Sequence, residues 1–202
     1  MQYFNYRKES IIMRLHDPEV KVTSAEEALQ MLKEGNARFM SGELSVKDNY
    51  AEIRGKLTMG QKPFAIILCC ADSRVAPEIY FDQKLGDIFV IRNAGNVVDE
   101  VVLGSIEYGA EHLGSPLMVV LGHTSCGAVT AACEGGELPE NIEAIVKKIQ
   151  PSVKAGASVN EVSRANAIAM AEQIKADPII KHVGTTVVPA IYDIASGEVI
   201  WL

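Results

Sequence analysis

His123 and Cys126 stand three residues apart at the end of an apolar run, in the stretch VVLGHTSCGAV, and Cys70 closes a second such run, FAIILCC. Two thiolates and one imidazole are the donors, in type and number, that a catalytic tetrahedral zinc takes before water fills its fourth position. The same spacing also fits buried thiols packed as small apolar groups, with a hydrogen-bonded core histidine. Cys69 and Cys70 are adjacent, and neighbours on a strand face opposite ways, so only one can serve the site. Periodicity does not say which. Cys133, seven residues beyond Cys126 in one helical segment, reads as core.

Asp72 follows Cys70 by two residues, and Arg74 follows Asp72 by two. In so short a loop the carboxylate can accept a bidentate guanidinium or bind a metal, and an acid with two competing partners is a switch. An ordinary loop ion pair is the simpler alternative.

These residues need a scaffold that brings strand ends together. The spacing predicts a helix from Ser24, whose capping-box partner is Glu27, to about Gly42, and then a long polar loop from Glu43 to Gln61. Pro63 opens FAIILCC, which reads as a buried parallel strand. DIFVI (87–91) is a second strand, followed by the loop RNAGN, a helix over about 99–113 and the strand PLMVVLG. Helices are predicted after Cys126, over 141–154 and over 159–176, with Asn160 near the start of the last and Pro178 past its end. The tail reads as two strands joined at Ser196-Gly197, with Pro189 marking an edge or bulge. Strands alternating with helices argue for an α/β fold with a mostly parallel central sheet flanked by helices. In such sheets ligands bind beyond the carboxyl ends of the strands, where all three motifs fall.

The 202 residues suit one domain, taken as 23–202, preceded by an arm over 1–22 that buries Tyr3, Phe4 and Tyr6 on a partner subunit. Nineteen basic against 26 acidic residues give a net charge of -7, which argues against nucleic acid and anionic membranes as partners. The longest apolar runs fall far short of the roughly 20 residues of a membrane helix. The first residues hold no unbroken apolar run of a secretory signal, so a cytoplasmic location is expected, with four cysteines kept as thiols or metal ligands.

Together, C-x-D-S-R at 70–74, R-N-A-G-N at 92–96, S-x-E-Y at 105–108 and G-H-x-x-C-G at 122–127 resemble the β-class carbonic anhydrases, from about Thr23 to the C-terminus. The resemblance implies zinc-dependent reversible hydration of carbon dioxide to bicarbonate by attack of zinc-bound hydroxide. It assigns Cys70, His123 and Cys126 as zinc ligands, with Asp72 joining them only in a closed state, and Asp72 with Arg74 as the catalytic dyad. Gln61 falls where plant-type members bind substrate across a dimer interface. Phe89, Ala94 and Tyr108 fall where such members line the carbon dioxide pocket, Ala94 in place of a valine. Ile67 replaces the tryptophan that marks an inhibitory bicarbonate site in one subgroup. A homodimer or homotetramer is implied, with the N-terminal arm wrapped over the partner.

Backbone N–H groups after Cys126, Gly127 among them, suit an anion at a helix start. His112, four residues after Tyr108, is a candidate proton relay. Two further readings stay open here: a hydrolase of a related heterocumulene such as carbon disulfide or carbonyl sulfide, and a silent zinc-bearing scaffold.

Overall fold

The computed structural model describes residues 22–47 and 50–202. The arm predicted over 1–22 lies outside them, apart from Val22, which is buried.

Helix α1 (Ala25–Ser41) starts at Ser24, whose hydroxyl accepts from Glu27 N at 3.2 Å, and stops at Gly42 in the left-handed region with φ 74°. The expected long loop instead holds α2 (Tyr50–Leu57), whose buried residue is Ile53. A helix this short with one apolar anchor has no period to read, which is why sequence pattern missed it. Next come β1 (Ala65–Cys70), α3 (Pro77–Tyr80) and β2 (Ile88–Asn93). A 3-10 turn at Ala94–Asn96 follows. Helix α4 (Glu100–Glu107), capped by Asp99, then runs into a π-turn at Tyr108–His112.

After β3 (Leu117–His123), helices α5 (Gly127–Glu134), α6 (Glu140–Ile149), α7 (Val159–Ala176) and α8 (Pro178–Val183) lead to β4 (Thr186–Tyr192) and β5 (Val199–Trp201). Helix α7 has the predicted bounds, and Ser158 caps it through a reciprocal capping box with Glu161.

The sheet order is β2-β1-β3-β4-β5, with the first four strands parallel and β5 antiparallel. Pro189 sits inside this sheet, on β4. Its carbonyl accepts from Leu202 N, so its missing donor faces the end of the short β5, where little pairing is lost. Alternation splits the core in two. Ile66, Leu68, Met118 and Val120 pack under α4 to α8. Ala65, Ile67, Cys69, Val119 and Leu121 pack against α1, α3 and β5. Burying each of these isoleucines and leucines contributes roughly 1.5–3 kcal/mol, which fixes the register of the strands that deliver the site.

From β1 the chain turns to β2 on one side; from β3 it turns to β4 on the other. The crevice where connections diverge lies between the carboxyl ends of β1 and β3, the place where open α/β sheets bind ligands. Cys70 ends β1 and His123 ends β3. No helix among the described residues is long and apolar enough to cross a membrane.

Candidate metal centre

Cys70, His123 and Cys126 are all buried, and one donor atom from each lies within 4.8 Å of the others. Strand parity places His123 with Leu117, Val119 and Leu121, on the face opposite Cys70. At a strand end no further neighbour intervenes, so the ring reaches over the edge. Gly122, at the position beside Cys70, leaves room: a Cβ there would lie 2.8 Å from Ile191 Cδ1 and 3.1 Å from Ser163 O on α7. Ser125, between the two donors of β3 and α5, holds a left-handed φ of 55°. Asn160 Oδ1 accepts from its N–H at 2.9 Å, which helps hold this costly conformation.

The His123 ring is oriented by one bond, Nδ1 to Thr124 O at 2.9 Å. A carbonyl partner makes Nδ1 the N–H donor and leaves a lone pair on Nε2. Nε2 is buried with no hydrogen-bond partner, an arrangement that is costly unless a cation takes the lone pair. Between the sulfurs, a hydrogen bond with Cys126 lowers Cys70 to about 4, helped by the Gly95 N–H. The same bond and burial push the Cys126 thiol up. The two thiols are coupled, and a divalent cation would displace their protons. An orphaned imidazole nitrogen beside two sulfurs fits zinc.

Cys69, one residue away, points into the other core, where burial pushes it up to about 12. An inert thiol and a donor thiol are thus separated by strand alternation alone.

Asp72 stands beside the cluster but is not part of it. Its carboxylate accepts from Arg74 Nε at 2.9 Å and NH2 at 2.7 Å, and also from Arg74 N at 2.9 Å. The Arg74 side chain also reaches Ser125 O at 3.4 Å. Arg92, whose role the motif did not reveal, donates to Cys70 O at 3.2 Å and Asp72 O at 2.8 Å. It thereby fixes the backbone that carries both the donor and the acid. The bidentate Arg74 holds the Asp72 carboxyl well below the usual carboxylate range. A depressed value keeps the pair ionised throughout the range above the unfolded value near 3.9, and its contribution is lost only as pH falls through the lower folded value. In Arg74→Ala the carboxyl should therefore titrate at higher pH, read by carbon NMR. An unmoved Asp72 titration would separate the two residues.

The remaining predicted residues divide by position. Ala94 lies beside Gly95, which contacts Cys70 Sγ, and open space lies where Gly127 would carry a side chain. Phe89 and Tyr108 meet each other at a ring distance of 6.1 Å, but Phe89 pairs with Ile66 at the other end of β1. Four residues of strand place that contact about 13 Å from Cys70. Gln61 is exposed ahead of β1. His112, whose ring is 5.3 Å from that of Tyr108, shares a surface cavity with Lys62, Pro63 and Glu111, also at the amino end of β1. Within one subunit, then, Gln61, Phe89, Tyr108 and His112 form a group apart from the donor cluster.

A mostly parallel open sheet with a Cys-His-Cys cluster at its topological switch point defines an α/β protein with a crevice whose donors could hold a metal ion. The sequence model of the carbonic anhydrase family matches residues 65–199, and the chain belongs to that family, in its β class. Carbonic anhydrase 2 of Mycobacterium tuberculosis is 52% identical over 133 residues, 64% of this chain and 64% of that protein. The carbonic anhydrase of Mycolicibacterium smegmatis is 50% identical over 133 residues, 64% of this chain and 65% of its own. The match thus spans a little under two thirds of these relatives. Among solved structures, the β-carbonic anhydrase CcaA superposes with TM-score 0.68 at 25% identity, covering 86% of this chain and 94% of CcaA. A tetrameric β-carbonic anhydrase of Sordaria macrospora shares the fold, with TM-score 0.71 at 22% identity over 88% of this chain and 97% of that one.

Proposed function

We propose that this protein interconverts carbon dioxide and bicarbonate, with zinc held by Cys70, His123 and Cys126. The observation that carries the reading is the donor set itself: an unpartnered, buried imidazole nitrogen facing two sulfurs, with Asp72 and Arg74 alongside. Zinc bound there would supply Lewis acidity, lowering the pKa of water from 15.7 toward roughly 7. The three donors are the only such cluster among the described residues, which suits an open fourth position rather than a closed structural site.

The chain's own groups then divide the work. Asp72, aimed by Arg74, accepts a hydrogen bond from the nucleophilic water and turns its lone pair toward carbon dioxide. Arg74 keeps that carboxylate from becoming a fourth donor, and its release is the switch to a closed state. First-turn N–H groups of α5, including Gly127, face developing negative charge. Two thiolates cancel the formal charge of the ion, so activity should rise with pH somewhat above neutral.

The rest of the reading requires a second copy of the chain. Gln61, Phe89, Tyr108 and His112 cluster at the end of the sheet away from their own donors, while β2 is an edge strand and Val101 and Tyr108 are exposed beside it. A homodimer or homotetramer that brings this end to a partner's crevice would let Gln61 bind substrate and Phe89, Tyr108 and Ala94 line its pocket. His112 can relay protons only in such an assembly. Four free thiols suit a reducing compartment, which supports a cytoplasmic location.

The test is stopped-flow carbon dioxide hydration against pH, on protein of measured zinc content, with Cys70→Ala as control. Activity should track zinc and climb with pH. Zinc-replete protein that hydrates no carbon dioxide at any pH would overturn the proposal.

A further inference from the structure

The geometry points to Asn166, on α7, as the positioning residue that sets the hydrogen bond to the Cys70 sulfur. This inference rests on reading the cluster as a metal centre. Asn166 is fully buried, and its Nδ2 donates to Gly95 O at 3.0 Å. Gly95 in turn donates its N–H to Cys70 Sγ at 3.4 Å. The glycine is held on both sides: the peptide before it aims at the sulfur, and the peptide after it is tethered to α7. Its φ is 77°, and a Cβ there would lie 2.8 Å from Ile149 Cδ1 and 3.2 Å from Ala128 Cβ. A side chain is excluded, so Gly95 lacks the conformational stiffness that a side chain would give the backbone. A tether from outside the loop takes over that job.

The cost of the arrangement argues that its purpose is not stability. Asn166 Oδ1 has no partner, and neither do Ser163 Oγ, one turn earlier on α7, and Asn96 Nδ2, next to Gly95. The row Val162, Asn166, Met170 is otherwise apolar and buried, so a half-satisfied amide is an expensive way to fill it. Such expense is found where orientation matters. An N–H aimed at a thiolate fixes its lone pairs and moderates its charge, and outer groups of this kind commonly change metal affinity about 10–100-fold when removed.

The experiment compares wild type with Asn166→Leu and Asn166→Ala, each stripped of metal. Zinc is titrated in competition with a chelating dye, and cobalt(II) is added separately so that its thiolate charge-transfer absorption reports on the sulfur donors. Both variants should lose about 10–100-fold in zinc affinity and show a shifted charge-transfer band, while metal-free Asn166→Leu still unfolds cooperatively, at a midpoint lowered by the loss of the Gly95 O partner. A folded Asn166→Leu with unchanged zinc affinity and an unchanged cobalt band would overturn the role. Should neither variant fold, wild-type protein loaded with a magnetic cadmium isotope decides: a cadmium coupling to the Gly95 amide proton together with slowly exchanging Asn166 side-chain amide protons supports the role, and the absence of either overturns it. Wild type that binds no zinc would instead sink the metal-centre reading itself.

Discussion

Cys126→Ala should bind zinc more than about 100-fold more weakly, a larger loss than removing an outer-shell partner causes, and carbon dioxide hydration should fall by roughly a thousandfold or more. The reason lies in the donor count. With Cys126 gone, one sulfur and one nitrogen remain, too few to hold a tetrahedral ion against solvent. The fold should survive, because the side chain is small and only one of many in its apolar layer; about 1 kcal/mol of stability is the expected loss. The variant also tests the coupling between the sulfurs. Since Cys126 is the chief group lowering Cys70 in the metal-free protein, its removal should raise Cys70, and alkylation of that thiol near neutral pH should slow. Zinc content after dialysis, stopped-flow rates and alkylation kinetics check the three parts. A variant that keeps one tightly held zinc per chain and full activity would remove Cys126 from the centre.

Asn36→Ala should cost about 3–5 kcal/mol of stability, because three buried backbone groups lose their partner at once. The Asn36 amide donates to Tyr80 O at 3.1 Å and Gly197 O at 2.8 Å, and accepts from Val199 N at 2.8 Å. One side chain on α1 thus ties together the end of α3 and the turn into β5. Gly35 lets the helix come that close: a Cβ there would lie 1.8 Å from Phe81 O. Urea unfolding should show a lower midpoint with an unchanged slope. A loss below about 1 kcal/mol would mean that water replaces the amide.

The strands were legible because FAIILCC and PLMVVLG are unbroken apolar runs, and the first helix because its cap and period agree. Helix α2 was not, since only Ile53 is buried. Cys70, His123 and Cys126 could be singled out by chemistry and by motif, and the structure brings them together; what spacing alone could not supply was which of Cys69 and Cys70 faces the crevice, because alternation has no absolute phase. The bounds of α7 follow from its pattern, but neither the cap at Ser158 nor the bond by which Asn160 holds Ser125 does, because both depend on loops brought together in space. Asn166 had left a signal, a polar residue at i+4 from Val162 in a row reserved for apolar side chains, and such interruptions are worth reading as contacts with a site. The group around Gln61 and His112 could not be placed from sequence, since its separation from the donors is a matter of which end of the sheet each occupies.

Cys70 and His123 sit on strands whose neighbours are already locked by two independent oily layers, so the ion meets a finished receptacle. A small zinc module stays a loose coil until its metal arrives, whereas the described residues here have two apolar layers of their own to hold the strands. Occupancy then follows the supply of ions and their taste for sulfur and nitrogen, and stripping or exchanging the metal leaves the scaffold standing.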